Sequence, residues 1–345
     1  MNVFAITLLF SFLLWLQNKY LRTPLRNTAQ TYHKKPTSRL GGVAIASALF
    51  IDAFFLSENS AENEIYRLIV ICSMPTFISG LLDDLFLNIK PWQRIILMLP
   101  SPILLFYFAG LRVTNLNLGF LDDFLNYEIF ALIFMVFALV GMSNAFNIID
   151  GFNGLLLGYI ITLALSIFFY GSFNDQFFIS KFIYALFYSC LAVLIVNSPW
   201  GKIFLGDAGA YMLGILVPTA LIFYYKINSL SPWFVMAMLI YPATEVFVSV
   251  IRKIIYRNMS AMEPDGLHLH MLVYKRVSKK FGFRKIRLRH FVVAMFIFSL
   301  NFPFMFFANV FSTNTKILFA ICVWYVLVYL LIYFILLPKY IFKRK

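Results

Sequence analysis

Four short motifs carry side chains suited to handling a phosphorylated substrate. Asp83 and Asp84 stand together in Gly-Leu-Leu-Asp-Asp-Leu. Asn144, Asn147 and Asp150 recur every three residues in Asn-Ala-Phe-Asn-Ile-Ile-Asp-Gly. Asp207 lies in Phe-Leu-Gly-Asp-Ala-Gly, and His268 and His270 close Asp-Gly-Leu-His-Leu-His. Carboxylate oxygens suit Mg²⁺, which commonly takes one or two of them together with phosphate oxygens. An ion held that way shields phosphates that would otherwise repel one another. Asp83, Asp84 and Asp207 could then divide two tasks. One binds the metal, and another takes a proton from, or orients, an attacking phosphate. Aspartate titrates near about 3.9 in free peptides and becomes a useful base only where burial or neighbouring carboxylates raise that value.

Asn144, Asn147 and Asp150 share one stripe if their helix continues. Their amide and carboxylate groups could read a base or a sugar by hydrogen bonds. The plainer reading of that stretch is helix capping and turn chemistry. Gly206 and Gly209 would let backbone amides approach a phosphate at a helix start, and the same pattern also starts ordinary helices. Two histidines are too few for a closed zinc site. Their spacing puts both on one side of an extended segment, where they could ligate metal, bind phosphate or exchange protons. A solvated loop is the bland alternative.

The elements that must position these groups are membrane helices. The 345 residues are 61% apolar and 13% charged, with 41 Phe and 19 Tyr. A soluble domain is about half apolar and about a quarter charged, and a soluble fold of this length could not hide that much apolar surface. The sequence predicts an all-α, polytopic bundle over residues 1–345, one domain without internal repeats. Spans of about 20 residues are expected at 2–20, 41–57, 66–82, 94–110, 127–144, 154–171, 178–197, 205–225, 232–251, 290–310 and 317–338, eleven in all. Cys72, Cys190 and Cys322 fall singly inside apolar runs and read as packing residues.

Charge sets the expected orientation. Basic residues follow the first apolar run rather than precede it, which predicts an uncleaved anchor with the N-terminus outside. Alternation then assigns 24 of the 29 Lys and Arg to the cytoplasmic side, leaving Arg67, Arg112, Lys181, Lys226 and Lys316 outside. The same parity, which made no use of them, puts Asp83, Asp84, Asp150, Asp207, His268 and His270 on the cytoplasmic face. Carboxylates at membrane helix ends are costly to bury and suggest function. The expected active-site loops are 21–40, 83–93, 145–153, 198–207 and 252–289. The net charge of +14 fits anionic lipid headgroups and an anionic substrate, and no nucleic acid partner is expected. Glu245, near the cytoplasmic end of its span, is expected to line the cavity. Asp52, inside the second span, has no role readable from sequence.

Together the motifs resemble the polyprenyl-phosphate N-acetylhexosamine-1-phosphate transferase family. The resemblance runs from His33 to His270, through His33-Lys-Lys-Pro-Thr-Ser-Arg-Leu-Gly-Gly42, Asp83-Asp84, the Asn144–Gly154 stretch, Phe204–Gly209 and Asp265–His270. It implies a Mg²⁺-dependent reaction, with Mn²⁺ as an alternative, in a bacterial inner membrane. A polyprenyl phosphate attacks the β-phosphate of a UDP-N-acetylhexosamine, and UMP leaves. By resemblance, Asp207 is the metal ligand, Asp83 the base toward the lipid phosphate, and Asp84 their support. Asn144, Asn147 and Asp150 would hold the nucleotide or diphosphate, and Lys35, Arg39, His268 and His270 would bind phosphate or sugar. The Asp265-Gly prefix of the histidine motif places the chain nearer the glycan-initiating branch, which serves O-antigen-like synthesis, than the peptidoglycan branch. A homodimer is compatible with the resemblance. Two rivals fit less well. An aromatic prenyltransferase would carry two richer Asp clusters. A transporter of an anionic lipid-linked solute would bring its ionisable groups toward the midplane in broken helices.

Overall fold

A computed structural model describes residues 2–17, 37–58, 60–86, 89–170, 177–256, 266–280 and 286–337. Lys35, His33 and Asp265 fall outside these residues, as do most of 21–40 and much of 252–289. The described chain is helical, with no strand among the described residues. Its helices are α1 (Asn2–Leu16), α2 (Gly41–Ile51), α3 (Ala61–Cys72), α4 (Met74–Phe86), α5 (Pro91–Met98), α6 (Pro100–Phe108), α7 (Phe120–Leu125) and α8 (Glu128–Ile149). They continue as α9 (Leu155–Tyr170), α10 (Phe177–Asn197), α11 (Gly206–Ile227), α12 (Trp233–Met238), α13 (Ile240–Ile251), α14 (Leu269–Lys280), α15 (Ile286–Val310) and α16 (Thr315–Leu336). Wider π-helical turns extend α2 over Asp52–Leu56 and α13 over Arg252–Tyr256.

Six helical stretches are long and apolar enough to cross a membrane: Asn63–Phe86, Glu128–Ile149, Ile179–Asn197, Gly206–Ile227, Ile286–Val310 and Thr315–Leu336. Three shorter apolar helices, Asn2–Leu16, Gly41–Leu56 and Leu155–Phe169, fall below that length. The protein is a multi-pass membrane protein. The two remaining segments expected as spans, 94–110 and 232–251, are each broken into two helices, and proline accounts for both breaks. Pro100 opens α6 and lacks the N–H that would continue α5. Pro242 cannot donate to the carbonyl of Met238, and the Tyr159 hydroxyl donates to that oxygen instead, at 2.6 Å.

The axis of the bundle is α11, with 18 of its 22 residues buried. It packs on α4, α8 and α2, and small residues allow the backbones to touch. A Cβ on Gly42 would stand 2.3 Å from the Gly209 nitrogen, one on Gly80 2.5 Å from the Ala208 backbone, and one on Gly214 2.4 Å from the Ser143 Cα. Lipid tails are as apolar as leucine, so such close packing, rather than hydrophobic burial, holds helices together in a bilayer. The chain before α2 is stitched to the start of α11 by three backbone bonds. Phe204 N donates to Ser38 O at 2.9 Å, Gly41 N to Phe204 O at 2.9 Å, and Gly42 N to Leu205 O at 2.7 Å. The three cysteines are buried and unbridged.

Candidate active site

Three motifs distant in sequence meet at the first turn of α11. Gly206 adopts φ +80°, a left-handed conformation that favours glycine, and turns the chain into the helix so that Asp207 stands in its first turn. Asp84 arrives from α4 fully buried, and its Oδ2 accepts from Ala208 N at 3.0 Å. That contact is a helix cap supplied from another helix. Arg39 Nη1 lies 4.0 Å from Asp84 Oδ1, and that oxygen is buried without a hydrogen-bond partner. From α8, Asn147 Nδ2 donates to Asp207 Oδ1 at 2.9 Å.

The helix α8 runs through Ile149 and ends at Asp150, so the three-residue repeat does lie along one helix. Its members behave differently. Asn144 turns back to donate to Val140 O at 2.9 Å, Asn147 holds Asp207, and Asp150 caps the helix C-terminus. A carboxylate is unfavourable at that end of a helix. Burial raises the Asp150 carboxyl well above the ordinary aspartate value, and the charges of Asp207 and Asp84 push the same way, while Arg39 opposes them.

Asp83 does not present an unengaged carboxylate. It is 1% exposed and pairs with Arg94 Nη1 at 3.1 Å. The same guanidinium nitrogen donates to the Tyr211 hydroxyl at 3.2 Å, and Tyr211 is one turn along α11 from Asp207. A base at Asp83 therefore requires the Arg94 pair to open. Sequence reading registered Arg94 only as a cytoplasmic positive charge. Asp83 lies on α4 and Arg94 on α5, and no helical periodicity carries from one helix to the next.

The loops converge as well. Gly154 N donates to Asn197 Oδ1 at 2.7 Å, and Asn197 Nδ2 donates to Ile203 O at 2.8 Å. Phe152 plugs the junction between this turn and α14 and α15, stacking on Tyr274 at 5.0 Å and meeting the edges of His270 and His290 at 5.7 and 5.1 Å. The two expected histidines are not solvated loop residues. His268 and His270 are 1% and 0% exposed, at the start of α14, and both face Glu245 of α13. Glu245, expected as a cavity-lining carboxylate, is instead buried behind them. Asp52 also finds a setting: it is buried at the opposite part of α2, facing Tyr66 and in the field of Lys181.

Among the described residues no group of three or more His, Cys, Asp or Glu is gathered as a metal cage. The donor set nonetheless fits a hard cation that shares its coordination with phosphate and water. Asp84 Oδ1, which accepts no hydrogen bond, and the Asp207 carboxylate, oriented by an amide, are oxygen donors at the positive end of a long helix. Replacing Asn147 with Leu removes the group that orients Asp207 and should lower turnover about 10- to 100-fold, the usual effect of losing such a partner. A steady-state assay beside a thermal unfolding curve in detergent would check this, and an unchanged kcat would remove Asn147 from the site.

A bundle of membrane helices that gathers buried and half-buried aspartates, asparagines and arginines at the start of its central helix defines a polytopic membrane enzyme acting on a phosphorylated substrate. The sequence model of glycosyl transferase family 4 matches residues 66–225. It is 26% identical over 258 residues, 74% of each chain, to an undecaprenyl-phosphate alpha-N-acetylglucosaminyl 1-phosphate transferase of Thermotoga maritima. It is 27% identical over 288 residues to a phospho-N-acetylmuramoyl-pentapeptide-transferase of Lactobacillus gasseri, covering 78% of this chain and 88% of the relative. A third relative is a putative UDP-N-acetylglucosamine–dolichyl-phosphate N-acetylglucosaminephosphotransferase of Saccharolobus solfataricus, 31% identical over 183 residues, 52% of this chain and 56% of the relative.

Proposed function

We propose that this protein transfers an N-acetylhexosamine 1-phosphate from a UDP-sugar to a polyprenyl phosphate, releasing UMP, as the first step of a cell-envelope polysaccharide. The observation that carries this reading is the meeting of Asp84, Asp207, Asn147 and the α11 N-terminus at one point, flanked by Arg39 and Arg94. The charge parity supports a cytoplasmic active site in a bacterial inner membrane.

In this reading Asp207, with Asp84 behind it, would hold Mg²⁺ or, in its place, Mn²⁺. Such an ion neutralises charge on the diphosphate. An oxygen of the lipid phosphate forms a bond to the sugar-linked phosphorus, and the bond from that phosphorus to the bridging oxygen of UMP breaks. A phosphate monoester has a second pKa of about 6, so the nucleophile arrives largely as a dianion and needs little help from a base. Asp83 then serves best by fixing Arg94, whose guanidinium can pass from carboxylate to phosphate. Asn144 and Asp150 face the nucleotide diphosphate, and Lys35 and Arg39 supply phosphate contacts.

The deciding experiment measures UMP release by purified protein given undecaprenyl phosphate, Mg²⁺ and a panel of UDP-N-acetylhexosamines. Release that requires both lipid and metal is expected. No release from any donor by folded protein rejects the reading.

A further inference from the structure

Glu245 is bound by an unusual number of donors for a carboxylate inside a membrane bundle. Its Oε2 lies 3.1 Å from His268 Nδ1 and its Oε1 3.3 Å from His270 Nδ1. Leu269 N, the first amide of α14, donates to Oε1 at 3.1 Å. One carboxylate thus caps α14 from outside and grips both imidazoles by the same ring nitrogen. The rings lie parallel, with centroids 5.5 Å apart and planes 3° apart.

This geometry fixes the protons. A bare imidazole lone pair facing a carboxylate at hydrogen-bond distance is repulsive, so Nδ1 carries hydrogen on both rings. The Tyr241 hydroxyl, 3.1 Å from His270 Nδ1, is then turned toward Glu245 rather than donating to the ring. Two stacked imidazolium ions against one buried carboxylate would leave a net positive charge among buried side chains, and even one would compete with the Arg252 charge that already acts on this site. Burial lowers the His268 pKa from its ordinary value, while Glu245 pulls the other way and the His270 and Arg252 charges add to the lowering. A neutral ring with hydrogen on Nδ1 leaves Nε2 as a bare acceptor. On His270 that atom is buried without a partner, 3.4 Å from where a Cβ on Gly151 would stand. It therefore faces the turn that carries Asp150, packed against Gly151.

We infer that Glu245 is a positioning residue that locks His268 and His270 as neutral Nδ1–H tautomers, so that His270 offers substrate an acceptor at Nε2 rather than a cation. Its ligand is a hydrogen-bond donor, a sugar hydroxyl or an amide N–H of the sugar nucleotide, and not a phosphate oxygen. The assignment of the ligand rests on the transferase reading; the tautomer does not.

Nitrogen-15 NMR of the full-length protein labelled at its four histidines separates the two. Signals of His268 and His270, assigned by their loss in His268→Asn and His270→Asn, are expected as neutral Nδ1–H at pH 7. Glu245→Gln offers one acceptor and one donor in the same shape, and should convert one ring to Nε2–H. Imidazolium or Nε2–H signals for both in the wild type overturn the inference, whether or not the variant folds. In the UMP-release assay His270→Phe should raise the KM for sugar nucleotide about tenfold, the effect of one lost hydrogen bond. His270→Gln, which keeps an acceptor, should recover part of that loss. Recovery by His270→Lys and not by His270→Gln would show that a cation is what the site needs. If no donor yields UMP, the transferase reading fails and the spectra still decide the tautomer.

Discussion

Asp207→Asn should reduce UMP release by at least about a thousandfold, equivalent to about 4 kcal/mol of transition-state stabilisation, while the protein unfolds at close to the wild-type temperature. The geometry separates the two effects. Asn at 207 keeps the oxygen that accepts from Asn147 Nδ2, and it fits the first turn of α11 as well as Asp does. It loses the charge. For the fold, a negative group at a helix N-terminus contributes about 0.3–1 kcal/mol, and part of that returns because Asp84 and Asp150 no longer face a third carboxylate. For the chemistry, a neutral amide is a poor ligand for Mg²⁺ and cannot balance it. Turnover and a thermal unfolding curve on the same preparation decide the matter. Retained turnover would remove Asp207 from the chemistry. Loss of turnover together with loss of the folded state would make it a structural residue.

Gly206→Ala is expected to do the opposite and break the site by breaking its frame. A Cβ there would stand 2.0 Å from the Arg39 carbonyl oxygen and 2.5 Å from Asp84 Oδ2. Neither neighbour can retreat easily. One belongs to the backbone stitched to 204–205, and the other caps α11. The φ of +80° adds about 1–2 kcal/mol of backbone strain for any residue with a Cβ. Gly110→Ala is the control, since Gly110 has φ +64° with nothing within 4 Å of its Cβ position. It should show the backbone term alone and keep activity. Gly206→Ala should lower the unfolding temperature further and abolish UMP release. Equal effects of the two substitutions would mean that the contact with Arg39 and Asp84 contributes nothing.

Much of this site was readable before its geometry. Asp83, Asp84, Asn147, Asp150 and Asp207 announce themselves because charge and amide groups are rare in apolar sequence and expensive there. The parity of Lys and Arg predicts a common face for them without using them. What stayed hidden depends on contacts between helices far apart in the chain. That Asp83 is paired with Arg94 follows from how α5 folds back on α4. That Asn147 rather than Asn144 reaches Asp207 follows from how α8 rotates against α11. The polar segment before the histidines and the basic run after them predict a loop, whereas the carboxylate that draws them inward stands 23 residues before His268, on α13. The segments 94–110 and 232–251 are interrupted for a local reason. Hydropathy counts Pro100 and Pro242 as tolerable, whereas the helix hydrogen-bond ladder does not.

The stitching at the head of α11 also constrains the order of events during synthesis. The bond from Ala208 to Asp84 spans 124 residues, and the one from Asn147 to Asp207 spans 60. Until α11 leaves the insertion machinery, Asp84 has no amide to cap and Asn147 no carboxylate to hold. The earlier helices must therefore wait in the bilayer with Asp84 balanced only by the distant Arg39. A nascent chain arrested before Gly206 should carry every helix through α10 and yet remain an open assembly, exposed to membrane proteases. Emergence of α11 would then close the site among α2, α4 and α8, with α12 to α16 still to pack against the bundle.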